Sequence, residues 1–411
     1  MVHKNNTFTV ILTALVLSVL CSLPALCSDV KIIPVADASL LGGGYYLDSD
    51  AASFGGRFDV FLSPALALGE NSEVIPVYTG NYSGTQDIQE LAGGGVLTRQ
   101  RQTHTFSLKY VFTHDFDKYK PSFSYSKALV RETKDEKWGD GLFDYGTLTF
   151  GFDAEQERPR GTFTESYDYY RVKYPNYSTL LSQSRTVIDT TTFDELSANA
   201  GKNTLDNENH RLGLGYTWFP DPVVMRAAYD ITYRMYGEQA IVSLPATGQP
   251  FFKTDKRADV IHNLSLSAAR TLKPVLLSAA LRASWLSSNQ NSYDSARTKF
   301  IGDYYSYTEL GFAPAMSFAL KDGTQFGLAL DWSHLDYLGR LKQDAAGNYS
   351  GSKINQTIWL SSLSARYPVG KKFFARAIYN YQVSSSNMRY EANYRYNYRA
   401  SAYLLGMEWE F

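Results

Sequence analysis

Apolar and polar side chains alternate with a period of two through most of this chain, in segments of about ten to fifteen residues. Between Gln325 and Ser333, every even-numbered residue is apolar, and the odd-numbered residues are Gln, Gly, Ala, Asp and Ser. Successive side chains of a β-strand point to opposite sides, so this pattern predicts strands with one apolar face and one polar face.

The sequence contains sixteen such segments, and fourteen or eighteen strands stay open as alternatives. The least regular segments are 73–82, which Pro76 interrupts, and 159–173, which has Glu165 on its apolar side; Lys127 breaks the fifth segment similarly. The predicted strands are 36–48, 56–68, 73–82, 95–114, 118–131, 143–154, 159–173, 208–219, 222–236, 257–270, 274–288, 303–320, 323–338, 355–368, 371–386 and 397–411.

Short and long connections alternate between these segments. Tight turns are predicted at 220–222, 272–274, 321–323 and 368–370, and long polar loops at 83–94, 132–142, 175–207, 237–256, 289–302, 340–354 and 387–396. Tight turns at one end and long loops at the other are typical of outer-membrane barrels, and an even strand number leaves both termini on the periplasmic side. The predicted fold class is all-β: a transmembrane antiparallel up-and-down β-barrel of about sixteen strands.

The first 27 residues have the pattern of a cleaved secretory signal peptide, and residues 28–411 are assigned to the barrel. Lys4 precedes the apolar run Val10–Leu20, and small residues at Ala25 and Cys27 predict cleavage before Ser28. Lipid attachment at a cysteine is disfavoured, because a leucine precedes each one where a small residue is expected. No later stretch of about 18 apolar residues predicts a transmembrane helix, so a membrane-spanning chain would cross as strands.

The C-terminus ends on an aromatic residue preceded by alternating apolar residues: Tyr403, Leu405, Met407, Trp409 and Phe411. This ending resembles the C-terminal signal of Gram-negative outer-membrane β-barrel proteins. The resemblance covers nine residues and specifies no subfamily. It implies recognition by the barrel-assembly machinery and a location in the outer membrane, where these five side chains would contact lipid and Glu408 and Glu410 would face the lumen.

Composition narrows the function classes. The net charge of −1 offers no concentrated basic face for nucleic acid, and the mean hydropathy of −0.28 is too polar for a bundle of transmembrane helices. Aromatic residues make up 15% of the chain, including 31 tyrosines, which suit membrane interfaces.

The residues expected to line a lumen are charged residues on the polar faces of the strands. The basic ones are Arg57, Lys109, Arg211, Arg226, Arg234, Arg282, Arg366 and Arg376, and the acidic ones are Asp59, Asp153, Asp230, Glu309, Asp331, Glu408 and Glu410. They would either select solutes or form ion pairs that stiffen the wall, and the two roles can coexist. Eight basic residues against seven acidic ones predict no preference between anions and cations.

No catalytic, metal or cofactor site is predicted. None of the five histidines after residue 27 has a closely spaced ligand partner, and His210 and His262 are assigned to a membrane interface. Asp331, Ser333 and His334 have residue types used by barrel hydrolases, but Asp331 and His334 would point to opposite faces. The glycine runs at 41–44 and 92–95 favour a bend or bulge over a phosphate site.

The function that fits best is a porin-like channel for passive diffusion of small hydrophilic solutes. The alternatives are an export or conduit barrel, passing polysaccharide or sheathing a partner protein, and a structural surface protein with a blocked lumen. Loop 175–207 either constricts the lumen or stays outside. Outer-membrane lipid is the expected surrounding, no nucleic acid is expected, and a periplasmic or homo-oligomeric partner is left open.

Overall fold

The computed structural model describes residues 31–48, 51–86, 98–131, 136–177, 203–243, 251–294, 297–391 and 395–410. The predicted signal peptide and most of loop 175–207 lie outside this described part. The strands are β1 (Lys31–Ile33), β2 (Ala36–Leu47), β3 (Ala51–Leu62), β4 (Ala65–Ala67), β5 (Ser72–Gln86), β6 (Thr98–His114), β7 (Asp117–Arg131), β8 (Tyr145–Arg158), β9 (Gly161–Lys173), β10 (Asn207–Trp218), β11 (Val223–Ser243), β12 (Phe251–Leu272), β13 (Val275–Ser288), β14 (Ser292–Asp294), β15 (Lys299–Ile301), β16 (Tyr307–Ala319), β17 (Gln325–Gln343), β18 (Tyr349–Pro368), β19 (Phe373–Ser386) and β20 (Tyr398–Glu410).

Sixteen of these strands form a closed antiparallel barrel, which confirms the predicted fold class and strand number. Each strand pairs with the next one along the chain, and β20 pairs with β2 from Asp37 opposite Glu410 to Leu47 opposite Ala400. The four short strands lie outside this order: β1 pairs with β4, and β14 pairs with β15. Among the described residues, no helix has the length and apolar character needed to cross a bilayer.

The predicted segment 56–68 was wrong at both ends. Strand β3 begins at Ala51 and ends at Leu62, and the following residues form the short strand β4. The pattern hides this start because Ala51, Ala52 and Ser53 lack large apolar side chains that would mark one face. Three residues, 48–50, therefore separate β2 from β3.

Two predicted long loops, 237–256 and 340–354, are mostly strand. Strand β11 continues to Ser243 and β12 begins at Phe251, with a register shift between Met235 and Ala240. Strands β17 and β18 likewise extend the ladder toward a five-residue tip between Gln343 and Tyr349. Beyond the bilayer a strand no longer needs a continuous apolar face, so the ladder continues where the alternation stops.

The tip of the β17–β18 hairpin is organised by Asp344. Its carboxylate accepts hydrogen bonds from the backbone N–H groups of Ala346 and Asn348, both at 2.9 Å, and from the Asn348 side chain at 3.0 Å. These donors, first the Asn348 side chain and then its backbone, hold the pKa of Asp344 below its usual value of 3.8. Gly347 completes the turn with a φ of 85°, a conformation that glycine adopts without strain.

We predict that acid loosens this tip. A carboxylate whose pKa is depressed by folding stabilises the fold above its unfolded pKa, and this stabilisation is lost as the pH falls through the folded value. Protection of the Ala346 and Asn348 amides from hydrogen exchange should therefore decrease below pH 3.8. The substitution Asp344→Asn should remove this pH dependence, and an unchanged pH profile in that variant would contradict the prediction.

Candidate functional site

The two faces of the barrel wall differ in their side chains. Large apolar residues are exposed on one face, among them Leu40 at 62%, Phe54 at 86% and Leu405 at 68% of their full exposure. On the other face, charged side chains meet across an intervening strand: Lys109 of β6 contacts Asp153 of β8 at 3.0 Å. Side chains of next-but-one strands converge only on the concave side of a curved sheet, so this polar face is the inner face.

The strand register places all fifteen predicted lumen-facing residues on this same inner face. Eight of them form four simple ion pairs. These pairs are Arg57–Asp59 (2.7 Å), Lys109–Asp153 (3.0 Å), Arg211–Asp230 (3.4 Å) and Arg282–Asp331. Most of these side chains are more than a third exposed, so each pair contributes at most about 1 kcal/mol to stability. Their main effect is to neutralise the wall.

Side chains of the two neighbouring strands bind Asp230, and the arginines of its own strand, Arg226 and Arg234, do not. Besides Arg211, it accepts a hydrogen bond from Asn263 at 2.8 Å, while Arg234 donates to Asn209 at 2.9 Å. The sign alternation of Arg226, Asp230 and Arg234 along β11 therefore does not make a connected row of charges. Among the described residues, Arg226 has neither an ion pair nor a hydrogen-bond partner.

A buried carboxylate, Glu408, connects three strands beside the seam where β20 meets β2. It is 8% exposed and is contacted by Arg366 at 2.9 Å and by Arg376 at 3.1 Å. Arg366 also contacts Glu410 and lies 3.3 Å from the centre of the Phe374 ring. Phe374 interrupts the polar side of β19 because it packs under this arginine.

The inner face near the short turns carries further ion pairs that the sequence predictions missed. Lys118 contacts Glu157 at 2.9 Å, and Lys120 contacts Glu155. On the outer face of the same hairpin, Arg158 lies 3.6 Å from Asp117. Two of the acids, Glu155 and Glu157, lie beyond residue 154, where the sixth segment was predicted to end. The alternation Asp153, Glu155, Glu157 continues past that point and would have identified them.

A second missed group lies at the opposite end of the barrel. Arg257 forms an ion pair with the fully buried Asp259 at 2.8 Å, and its guanidinium lies over the rings of Tyr236 and Tyr305, 4.5 and 4.0 Å from their centres. Arg340 is similarly held against Tyr304 and Tyr337. Of these residues only Arg340 lies in a predicted loop, and the others lie at the ends of the predicted strands that border the long loops.

Four histidines mark one level of the outer face. His104, His210, His262 and His334 lie eight to ten residues from the short-turn ends of their strands. In tilted strands this distance corresponds to about 20 to 25 Å, the height of the apolar band of such barrels. The hydroxyl groups of Tyr78, Tyr167 and Tyr229 hydrogen-bond to Nδ1 of the first three of these histidines, at 2.7 to 2.9 Å. This common level fits the interfacial or loop-edge role expected of His210 and His262.

The described residues do not assemble the hydrolase constellation considered from the sequence. Asp331 lies on the inner face and binds Arg282, whereas His334 lies on the outer face, where it contacts Thr357 at 2.8 Å and stacks on Trp332. Oxygens of Asp37, Glu408 and Glu410 lie within 4.8 Å of one another, but Arg366 and Arg376 already neutralise this acidic group. An enzymatic function gains no support from these arrangements.

A closed sixteen-stranded wall with an apolar outer face and a charged inner face decides the class. The fold is that of an outer-membrane β-barrel. Of the five residues of the predicted C-terminal signal, Tyr403, Leu405, Met407 and Trp409 are described and lie on the outer face, and the first three are at least 47% exposed. Phe411 lies outside the described residues.

Comparisons with solved structures found similarity to other outer-membrane proteins. The barrel is similar to OmpT of Vibrio cholerae in its trimer form, with 10% identity over 93% of this chain and 99% of that one, at a TM-score of 0.47. It is similar to the anion-selective porin from Comamonas acidovorans, with 9% identity over 93% and 100% of the two chains and a TM-score of 0.47. CdiB from Acinetobacter baumannii is similar at 10% identity and a TM-score of 0.45, over 93% of this chain and 65% of that one.

No protein-family model matches the sequence, and no curated protein matches it. Identities near 10% with TM-scores below 0.5 give no basis for assigning a solute or a subfamily.

Proposed function

We propose that this protein is an outer-membrane channel for the passive diffusion of small hydrophilic solutes, lined by the fifteen predicted inner-facing residues. The observation that carries the proposal is the polar inner face of the closed sixteen-stranded wall. A barrel of this size has an interior too wide for its wall side chains to fill. The apolar outer face of the wall fits a lipid environment. The predicted signal peptide would direct export, and the predicted C-terminal signal would direct assembly into the outer membrane.

Single-channel recording in a planar bilayer tests this proposal. The chain from Ser28 would be refolded, its folded state checked by strand content and resistance to heat, and its conductance measured in potassium chloride. Steady openings that scale with salt concentration support a diffusion channel. A folded barrel that stays silent at every voltage contradicts it and favours the conduit or structural alternatives.

Reversing the charge of Arg226 should change ion selectivity without unfolding the barrel. This arginine has no ion pair among the described residues, so Arg226→Glu breaks no salt bridge. The substitution makes the net charge of the inner face more negative by two units. The ratio of cation to anion permeability, obtained from reversal potentials in a salt gradient, should rise about two- to fivefold. The outward-facing Arg270→Glu provides the matched control. Equal reversal potentials in both variants would mean that Arg226 does not line the pathway.

A further inference from the structure

Described residues of β11 to β19 line an open recess of about 670 Å³ on the inner wall. Seven neighbouring barrel strands contribute side chains to it, among them Asp230, Asn263, Glu309, Asp331 and Gln382. It is open to the interior, so a solute inside the barrel can enter it without any rearrangement of the wall.

The single arginine that lines the recess is already paired with another strand. Arg282 of β13 reaches across β16 to Asp331 of β17. Gly311 of β16 lies beneath this bridge, and a Cβ atom there would come within 3.2 Å of the guanidinium. A side chain at position 311 would therefore crowd the bridge, and glycine keeps Arg282 directed at Asp331.

Glu309 consequently has no basic partner among the described residues. It lies on β16 two residues from Gly311, on the same face, and Ser284 is directly opposite on β13. The other acid, Asp230, is held by Arg211 and Asn263. Because Arg282 pairs with Asp331 and Arg211 pairs with Asp230, the lining keeps one uncompensated negative charge among the described residues, that of Glu309.

The remaining lining consists mainly of hydroxyl and amide groups. Ser265, Ser284 and Ser333 present hydroxyls to the recess. Asn263 and Gln382 line it with amides whose N–H groups bind Asp230 and the Tyr398 hydroxyl, which leaves their carbonyl oxygens as acceptors. A carboxylate binds a primary ammonium through charge-assisted hydrogen bonds, and hydroxyl and amide groups bind the hydroxyls of a solute. This set of groups matches a small molecule that has both an ammonium group and hydroxyls.

We propose that this recess is a binding site for small hydroxylated ammonium solutes, with the ammonium group at Glu309. The proposal rests on the channel function above and assigns it a solute class. It makes the recess a station on the diffusion path that retains amino sugars and similar cations longer than neutral sugars of the same size.

Binding calorimetry and ion-current recording on the refolded full-length barrel test this site, with glucosamine as the probe and glucose as its uncharged counterpart. Glucosamine should bind and interrupt the ion current, and glucose should do so about tenfold more weakly. Glu309→Gln keeps the size of the side chain and removes its charge, so it should weaken glucosamine binding about tenfold and leave glucose unchanged. Glu309→Asp provides a second variant if the first does not fold.

The matched control is Glu165→Gln, which removes the same charge from an exposed position on the outer face of β9. Glucosamine affinity equal in Glu309→Gln and Glu165→Gln overturns the proposal. If the barrel conducts ions but does not bind glucosamine, the binding-site proposal is wrong and the channel proposal stands. If the barrel binds glucosamine but shows no conductance, the binding-site proposal stands and the channel proposal is wrong.

Discussion

Replacing Gly43 by alanine should prevent the first and last barrel strands from closing correctly. Gly43 of β2 lies opposite Leu404 of β20, and a Cβ atom at this position would overlap the backbone carbonyl of Tyr403. That carbonyl belongs to the partner strand and cannot move without disturbing the ladder that closes the barrel. We expect a loss of about 3 kcal/mol or failure to fold, at the upper end of what overpacking costs.

Gly42→Ala is the matched control, one residue earlier in the same strand. Its Cβ would meet only the tip of the Phe54 ring at 3.4 Å, a contact that a small ring movement relieves. Gly406→Ala should repeat the defect from the other side of the seam, because its Cβ would overlap the Leu40 carbonyl. The folded fraction after refolding into detergent, followed by resistance to heat, distinguishes these variants. Equal folding of the Gly42 and Gly43 variants would contradict the close approach at this seam.

Removing the Glu408 side chain should produce the second large loss of stability. Glu408→Ala leaves Arg366 and Arg376 without the carboxylate that both contact, and Arg366 is only 17% exposed. Breaking a buried ion pair by deleting one partner costs about 3 to 5 kcal/mol. Because Arg376 is 37% exposed and retains water, we expect about 2 to 4 kcal/mol.

Urea unfolding in lipid vesicles, followed by tryptophan fluorescence, measures this loss. Glu410→Ala is the control on the same strand face, because Glu410 is 51% exposed and should contribute less than about 1 kcal/mol. A Glu408 variant that unfolds at the same urea concentration as the Glu410 variant would show that the buried network does not stabilise the seam.

The alternation of residues predicted all sixteen barrel strands, including the irregular segments containing Pro76 and Glu165. The signal is strong because each strand contacts lipid on one side and polar surroundings on the other, so every second position is constrained. It failed where this constraint is absent. The start of β3 at Ala51 has small residues on both faces, and the extensions of β11 and β17 lie beyond the apolar band.

The charged residues of the inner face were identified from the same alternation, but their pairing was not. Whether Arg282 binds Glu309 or Asp331 depends on strand register, on wall curvature and on the space left by Gly311. These properties arise between strands that are far apart in sequence. A count of eight basic and seven acidic residues therefore indicated a neutral wall, whereas the structure leaves Glu309 and Arg226 unpaired at different places among the described residues.

By itself, the sequence determined the class of fold, the two faces of each strand and an approximate strand number of sixteen, because these follow from local periodicity and from the spacing of turns. Tertiary structure alone decided which charges are neutralised, where the wall has a recess and why Gly43 and Gly406 are required at the seam. The physical reason is that ion pairing and close backbone approach depend on distances across strands, which local alternation does not encode.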